Sequence, residues 1–282
     1  MRSGNVWTGE RLETYIYNDN TIEHLHRYAI SIPLIKNKVV LDIACGEGYG
    51  SNLLAEEAHF VYGVDISKET ISNAQAKYVR SNLDFKHGTT SAIPLDDNSV
   101  DVVISFETIE HHDEHESMMI EIKRVTKPGG LLIISSPDKR TYTDLPKVVN
   151  PHHVKELYLG EFKSLVEKYF LNSSFYFQKM IHGSIVYQER NKSFYKEYTG
   201  SYSHVEKVID TNHIYVICVA SDDVPPQLNL SIFTSDEILA SSTLNNQLET
   251  EHVIAKVKSS WSYKIGNTIL KPFSLLKRIL NA

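Results

Sequence analysis

Between about residues 38 and 138, short and nearly continuous apolar runs alternate with longer polar stretches. Val39–Cys45 (VVLDIAC), His59–Ile66 (HFVYGVDI), Leu83–Gly88 (LDFKHG), Val100–Glu107 (VDVVISFE) and Gly130–Asp138 (GLLIISSPD) are rich in Val, Ile and Phe and read as strands. Most lack the alternation of a strand with one wet face, so the sheet they predict is covered on both sides. Gly50–Glu57, Lys68–Arg80 and Glu114–Thr126 are long enough for crossover helices. The last runs into Lys127-Pro128-Gly129-Gly130, a stop signal of basic charge, proline and glycine. Strand, helix and strand repeated in this way predict a doubly wound, mainly parallel α/β sheet.

The flanks have a different texture. Thr21–Ile35 is amphipathic and predicts a helical cap before the first strand. Pro151–Phe170 carries apolar residues at 154, 157, 158, 162, 165, 166 and 169, the stripe of a helix. Phe175–Met180 and His213–Ala220 are further strand candidates, and residues 183–210, rich in Tyr and Lys without a period, read as an inserted loop region. Asp222-Asp223-Val224-Pro225-Pro226 reads as a linker. The organisation expected is therefore a domain over 1–221 and a linker with a basic, amphipathic helical tail over 222–282.

Composition narrows the function classes. The 282 residues carry 29 Lys+Arg and 35 Asp+Glu, a net charge of −6, which argues against a dedicated nucleic-acid binder. Two cysteines, Cys45 and Cys218, are too few for a disulfide framework and lack zinc spacing. No apolar run has the length of a signal core or a membrane span, so the expected location is cytoplasmic.

The strongest chemical signal follows the first strand, in Asp42-Ile43-Ala44-Cys45-Gly46-Glu47-Gly48-Tyr49-Gly50-Ser51. Glycines at the end of a first strand let backbone approach a ligand and turn sharply into a helix. Asp65 closes the second strand nineteen residues after Gly46, where a carboxylate can accept both hydroxyls of a ribose. The third site of a dinucleotide loop is Ser51 rather than Gly or Ala, and the acidic Asp42 disfavours a pyrophosphate. Such an acid suits a ligand bearing an ammonium.

In these residues the chain resembles the class I S-adenosylmethionine-dependent methyltransferases, whose first motif D-x-G-x-G-x-G is matched with Ala44 at the first glycine. The resemblance continues through Val64-Asp65-Ile66-Ser67, His87-Gly88-Thr89-Thr90, Ile93-Pro94-Leu95, Val100-Asp101-Val102-Val103 and Lys127-Pro128-Gly129-Gly130, and covers roughly residues 20–220. It implies S-adenosylmethionine as cofactor, lying over Gly46 and Gly48, with the ribose on Asp65 beside Ile66 and the adenine near Thr89 and Thr90. The family often has an acid after the glycine matched by Gly88; here Thr89 stands there. Arg27 could pair with the carboxylate of the cofactor's methionine part or form a surface salt bridge, and Glu107 would be a wall of the pocket. Thr8-Gly9-Glu10-Arg11, Glu23-His24-Leu25-His26-Arg27-Tyr28, Ser136-Pro137-Asp138-Lys139 and Asn150-Pro151-His152-His153-Val154-Lys155-Glu156 look like methyltransferases of bacterial surface-polysaccharide clusters. That closer resemblance implies a hydroxyl of a sugar or glycan as acceptor. An amino sugar or small metabolite methylated on nitrogen stays open, as does a catalytically silent subunit that recruits a glycan-assembly complex through residues 222–282.

Methyl transfer needs positioning and a base for the acceptor hydroxyl. His153, expected at a helix start, is the first choice and His111 the second; each competes with a plain capping or packing role. The run His111-His112-Asp113-Glu114-His115-Glu116 reads as a solvated helix start, so no metal is assigned. After Glu251 there is no further acid, while Lys256, Lys258, Lys264, Lys271, Lys277 and Arg278 are interleaved with Trp261, Phe273 and several Leu and Ile. Residues 243–282 thus fit an anionic membrane surface at the inner face of the cell membrane, a glycan-assembly partner, or the chain's own domain.

Overall fold

The run of parallel strands expected from the sequence is present as β1 (Val39–Ile43), β2 (Phe60–Asp65), β3 (Leu83–His87), β4 (Val100–Ser105) and β5 (Thr126–Pro137), in the spatial order β3-β2-β1-β4-β5. In this computed structural model the described residues are 12, 14, 15, 17–181, 183–189, 198–201, 204–207, 212–265 and 268. The Thr8–Arg11 motif and most of the tail beyond residue 265 lie outside them.

Helices α2 (Tyr49–Leu54), α3 (Lys68–Lys77) and α4 (His115–Val125) make the crossovers. The even apolarity of the strands follows from burial on both faces: β4 sends Val103 into one apolar cluster and Val102 and Ile104 into the other. Helix α1 (Asp19–Ile35) starts at Asn18, whose side chain accepts from the Thr21 amide at 3.2 Å, and packs Tyr28, Ile30 and Ile35 into the second cluster.

The second half of the sheet corrects several expectations. Strands β6 (Asn172–Ile181) and β10 (Tyr215–Ser221) are joined by β7 (Gly183–Gln188) and β11 (Ser231–Thr234), giving nine strands in the order β11-β7-β6-β10-β5-β4-β1-β2-β3. All pairings from β5 to β11 are antiparallel. The region expected to be a loop therefore supplies a sheet strand, and the described parts of its remainder form a hairpin, β8 (Tyr198–Ser201) with β9 (His204–Lys207). Likewise, residues 222–235 are not a simple linker, because β11 adds to the sheet edge and the compact unit ends at Ser235.

The helix expected over Pro151–Phe170 begins only at Leu159, as α5 (Leu159–Tyr169). Residues 151–158 instead lie over a single 3-10 turn, Ile109–His111, because the amides of Val154 and Lys155 both donate to the carbonyl of Glu110, at 2.8 and 3.0 Å. His153 consequently sits in a loop. The second unit starts at Asp236 with α6 (Asp236–Ser259), a few residues before the expected tail. Among the described residues no helix is long and apolar enough to cross a membrane.

Candidate active site

The turn out of β1 is built from backbone that few side chains tolerate. Ala44, Gly46 and Gly48 take φ values of +59°, +54° and +86°, all in the left-handed region. A Cβ on Gly46 would meet nothing within 4 Å, so this stretch of backbone is open to a ligand. Gly48 differs: a Cβ there would stand 2.7 Å from the Phe85 ring. Its glycine serves the packing of β3 and the entry to α2, and it does not line the cavity.

Asp65, at the tip of β2 and 4% exposed, ties the turn together. Its Oδ2 accepts from the Gly46 amide at 3.0 Å and its Oδ1 from the Ser67 amide at 2.9 Å. Each carboxylate oxygen can accept more than one hydrogen bond. Both readings of this residue, loop closure and ligand contact, are compatible with one geometry.

These residues open onto a cavity of 310 Å³, within the range of small-molecule sites. Of the residues expected in the site, Gly46, Asp65, Ile66, Thr89, Thr90, Glu107 and His111 line it. Gly48, Asp42, Arg27 and His153 do not. Sequence reasoning missed the aromatic wall of Tyr28, Tyr49 and Phe106, where Tyr28 meets Phe106 edge-on at 5.2 Å. It also missed His24, whose Nδ1 lies 3.0 Å from the Tyr49 hydroxyl and whose imidazole is held well below its ordinary range by burial and by Arg27. The spacing of His24 and Tyr28, one turn apart on α1, carried a signal for a shared face.

Asp42 is buried against Ser51, whose hydroxyl donates at 2.6 Å, and against the Tyr28 hydroxyl. Burial pushes its carboxyl up to about 7. It is therefore a partner for α1 and α2 rather than a charge facing the cavity. Arg27 is 1% exposed, donates to Gln178 Oε1 at 2.7 Å, and stacks over Tyr215 at 4.8 Å. It lies 3.8 Å from Glu107, so it is neither a surface ion pair nor a lining residue but a buried cation behind the Glu107 wall. Glu107, at φ +50°, is fixed by Ser135, which donates to its Oε1 at 2.6 Å.

The two candidate bases are neighbours. His111 Nδ1 lies 3.0 Å from the His152 carbonyl, which places a proton on Nδ1. His153 meets it edge-on at 5.1 Å. His153 Nδ1 is 2.6 Å from Glu156 and Nε2 is 2.9 Å from the Asn150 amide, with Tyr142 stacked on the ring at 5.2 Å. With both nitrogens so engaged, His153 sits off the cavity wall, whereas His111 lines it together with His24 and His112. The expected solvated helix start is corrected: His115 is buried with its Nε2 2.8 Å from the His112 carbonyl as α4 begins, and His112 lines the cavity beside Thr90.

Residues 41–134 match the methyltransferase domain family. Over this stretch the chain is similar to a methyltransferase domain. A probable S-adenosylmethionine-dependent methyltransferase of Mycolicibacterium smegmatis is 40% identical over 131 residues, 45% of this chain and 49% of that protein. The phthiotriol/phenolphthiotriol dimycocerosates methyltransferase 1 of Mycobacterium ulcerans is 32% identical over 130 residues, 45% of each chain. The chain spans about half the length of these curated relatives. Among solved structures, the YcgJ protein of Bacillus subtilis shares the fold with a TM-score of 0.53 at 17% identity, covering 71% of this chain and all of that one. The Mycolicibacterium smegmatis relative is named as S-adenosylmethionine-dependent, and the site fits that cofactor: open backbone at Gly46, a carboxylate at the tip of β2, and an aromatic wall beside them.

Proposed function

We propose that the methyltransferase domain moves a methyl group from S-adenosylmethionine to a hydroxyl of a sugar or glycan in bacterial surface-polysaccharide biosynthesis. One observation carries this reading: a single cavity is lined by Gly46 and Asp65 and also by His111. Bound S-adenosylmethionine supplies an electrophilic methyl on a sulfonium. Asp65 accepts from the ribose hydroxyls, and Thr89 and Thr90 form the wall beside the adenine. Tyr28, Tyr49 and Phe106 form an aromatic wall suited to a sulfonium cation. His111, held by the His152 carbonyl, stands where the acceptor's hydroxyl proton leaves. The polysaccharide assignment rests on the Asn150–Glu156 and Ser136–Lys139 resemblance.

The test is to supply the purified protein with S-adenosylmethionine labelled in its methyl group together with sugar nucleotides and surface glycan. An alkali-stable methyl ether on sugar is the expected product. Label on nitrogen would move the reaction to an amino sugar or small metabolite. Cofactor binding with no transfer would leave a silent subunit.

A second reading is a lipid hydroxyl as acceptor, favoured by the relative named for phthiotriol dimycocerosates. A lipid extract run beside the glycan decides between them. For the tail we propose contact with an anionic membrane or a glycan-assembly partner at the inner face of the membrane. In support, Leu244, Leu248, Val257, Trp261 and Ile265 are exposed and the stretch beyond Glu251 is wholly basic.

A further inference from the structure

Glu110, His111 and His153 converge although the loop that carries His153 is some forty residues further along the chain. One carboxylate oxygen of Glu110 and one ring nitrogen of each histidine all lie within 4.8 Å of one another. Ligands held at about 2.1 Å around one ion stand roughly 3–3.5 Å apart, so side-chain shifts of about an ångström would close the set.

The burial of the acids suits a cation as their partner. Glu110 is 1% exposed and its Oε2 has no hydrogen-bond partner. Glu156, with a side chain 7% exposed, uses Oε1 on His153 and leaves Oε2 unpartnered. Buried carboxylate oxygens are costly without a donor or a metal. Two such acids beside two imidazoles match the charge of a divalent ion.

The second shell is already built. In His153 the Nδ1–H is held by Glu156, and in His111 by the His152 carbonyl. This is how metal-binding histidines are oriented, with Nε2 as the ligand atom. Asn150, whose amide lies 2.9 Å from His153 Nε2, would turn aside on binding.

We propose that Glu110, His111 and His153 form a site for a divalent transition-metal cation that meets the cavity at His111, the one of the three that lines it. Two imidazoles and one carboxylate suit Zn²⁺, Mn²⁺, Fe²⁺ or Co²⁺. The inference deepens the methyl-transfer reading and rests on it for the cation's role, turning His111 from base to ligand. The acceptor hydroxyl oxygen binds the cation, which makes it more acidic, and releases its proton to solvent water. That oxygen then forms its bond to the methyl carbon as the carbon–sulfur bond breaks and sulfur keeps the electron pair.

The test uses the full chain stripped with a chelator and titrated with Co²⁺, read by visible absorption, and with Zn²⁺, read by calorimetry. One cation per chain is expected. Glu110→Gln should weaken binding about 10- to 100-fold or more, and Glu156→Gln, which keeps all three ligands, by about 10- to 100-fold. Circular dichroism melts of each variant separate lost ligands from lost fold. No stoichiometric binding, or binding indifferent to both substitutions in folded protein, overturns the site. Cation binding that depends on Glu110 in a protein that transfers no methyl would sustain the site and sink the methyl-transfer reading. Full transfer by metal-free protein would overturn the cation's role and leave His111 as base.

Discussion

The amide of Gly46 donates to Oδ2 of Asp65 at 3.0 Å, so the carboxylate we propose for the ribose is also the clasp of the glycine turn. The two functions share one side chain because β1 and β2 are parallel neighbours whose tips end side by side.

Asp65→Ala should therefore cost both affinity and order. Loss of two hydrogen bonds to a charged acceptor is worth about 2–4 kcal/mol, or ~30- to ~1000-fold in the dissociation constant for S-adenosylmethionine. Titration calorimetry measures it, and an unchanged constant would remove Asp65 from the site.

The histidine pair separates by role. His111→Gln should leave cofactor affinity intact and slow methyl transfer by about a hundredfold or more. Glu156→Gln frees the His153 ring from its clamp without touching the cavity wall, and should lower kcat by a smaller factor. Equal turnover of His111→Gln and the unaltered protein would exclude His111 from the chemistry.

Asp42 makes stability depend on pH in a stated direction. Its native carboxyl is raised from 3.8 to about 7 by burial, so the native state holds a proton that the unfolded chain releases. The contribution to stability is fully present below about pH 4 and is lost as pH rises through 7. Asp42→Asn keeps acceptor and donor for Ser51 and Tyr28 and removes the titration. In urea unfolding, the variant's advantage should grow between pH 5 and pH 8; a difference independent of pH would show that Asp42 does not titrate as argued.

The tail can be removed at the boundary between the compact units. A chain ending at Ser235 keeps every cavity-lining residue and β11. It should retain methyl transfer and lose sedimentation with anionic vesicles. Vesicle binding by the intact chain should weaken between about 50 and about 500 mM salt, as screening shortens the electrostatic reach. Binding that ignores salt, or its absence in the intact protein at low salt, counts against the membrane and leaves partner docking.

The sequence by itself determined the parallel half of the sheet, the glycine turn and the acid at the tip of β2. Those features are local: apolar runs set the strands, left-handed backbone demands glycine or a tolerant residue at 44, 46 and 48, and a short crossover places Asp65 beside Gly46. Only the tertiary structure decided the antiparallel half, because β7 and β11 are short edge-side strands whose partners, not their patterns, make them strands. It also decided which charges face the cavity. Arg27 and Asp42 read as ligand contacts along the chain, yet packing of α1 against the sheet buries both behind the wall. His153 read as a helix-start base until the Glu110 carbonyl drew the amides of Val154 and Lys155 onto itself. That pairing of residues distant in sequence, invisible to any local period, set His153 beside His111 and left a buried carboxylate oxygen without a donor.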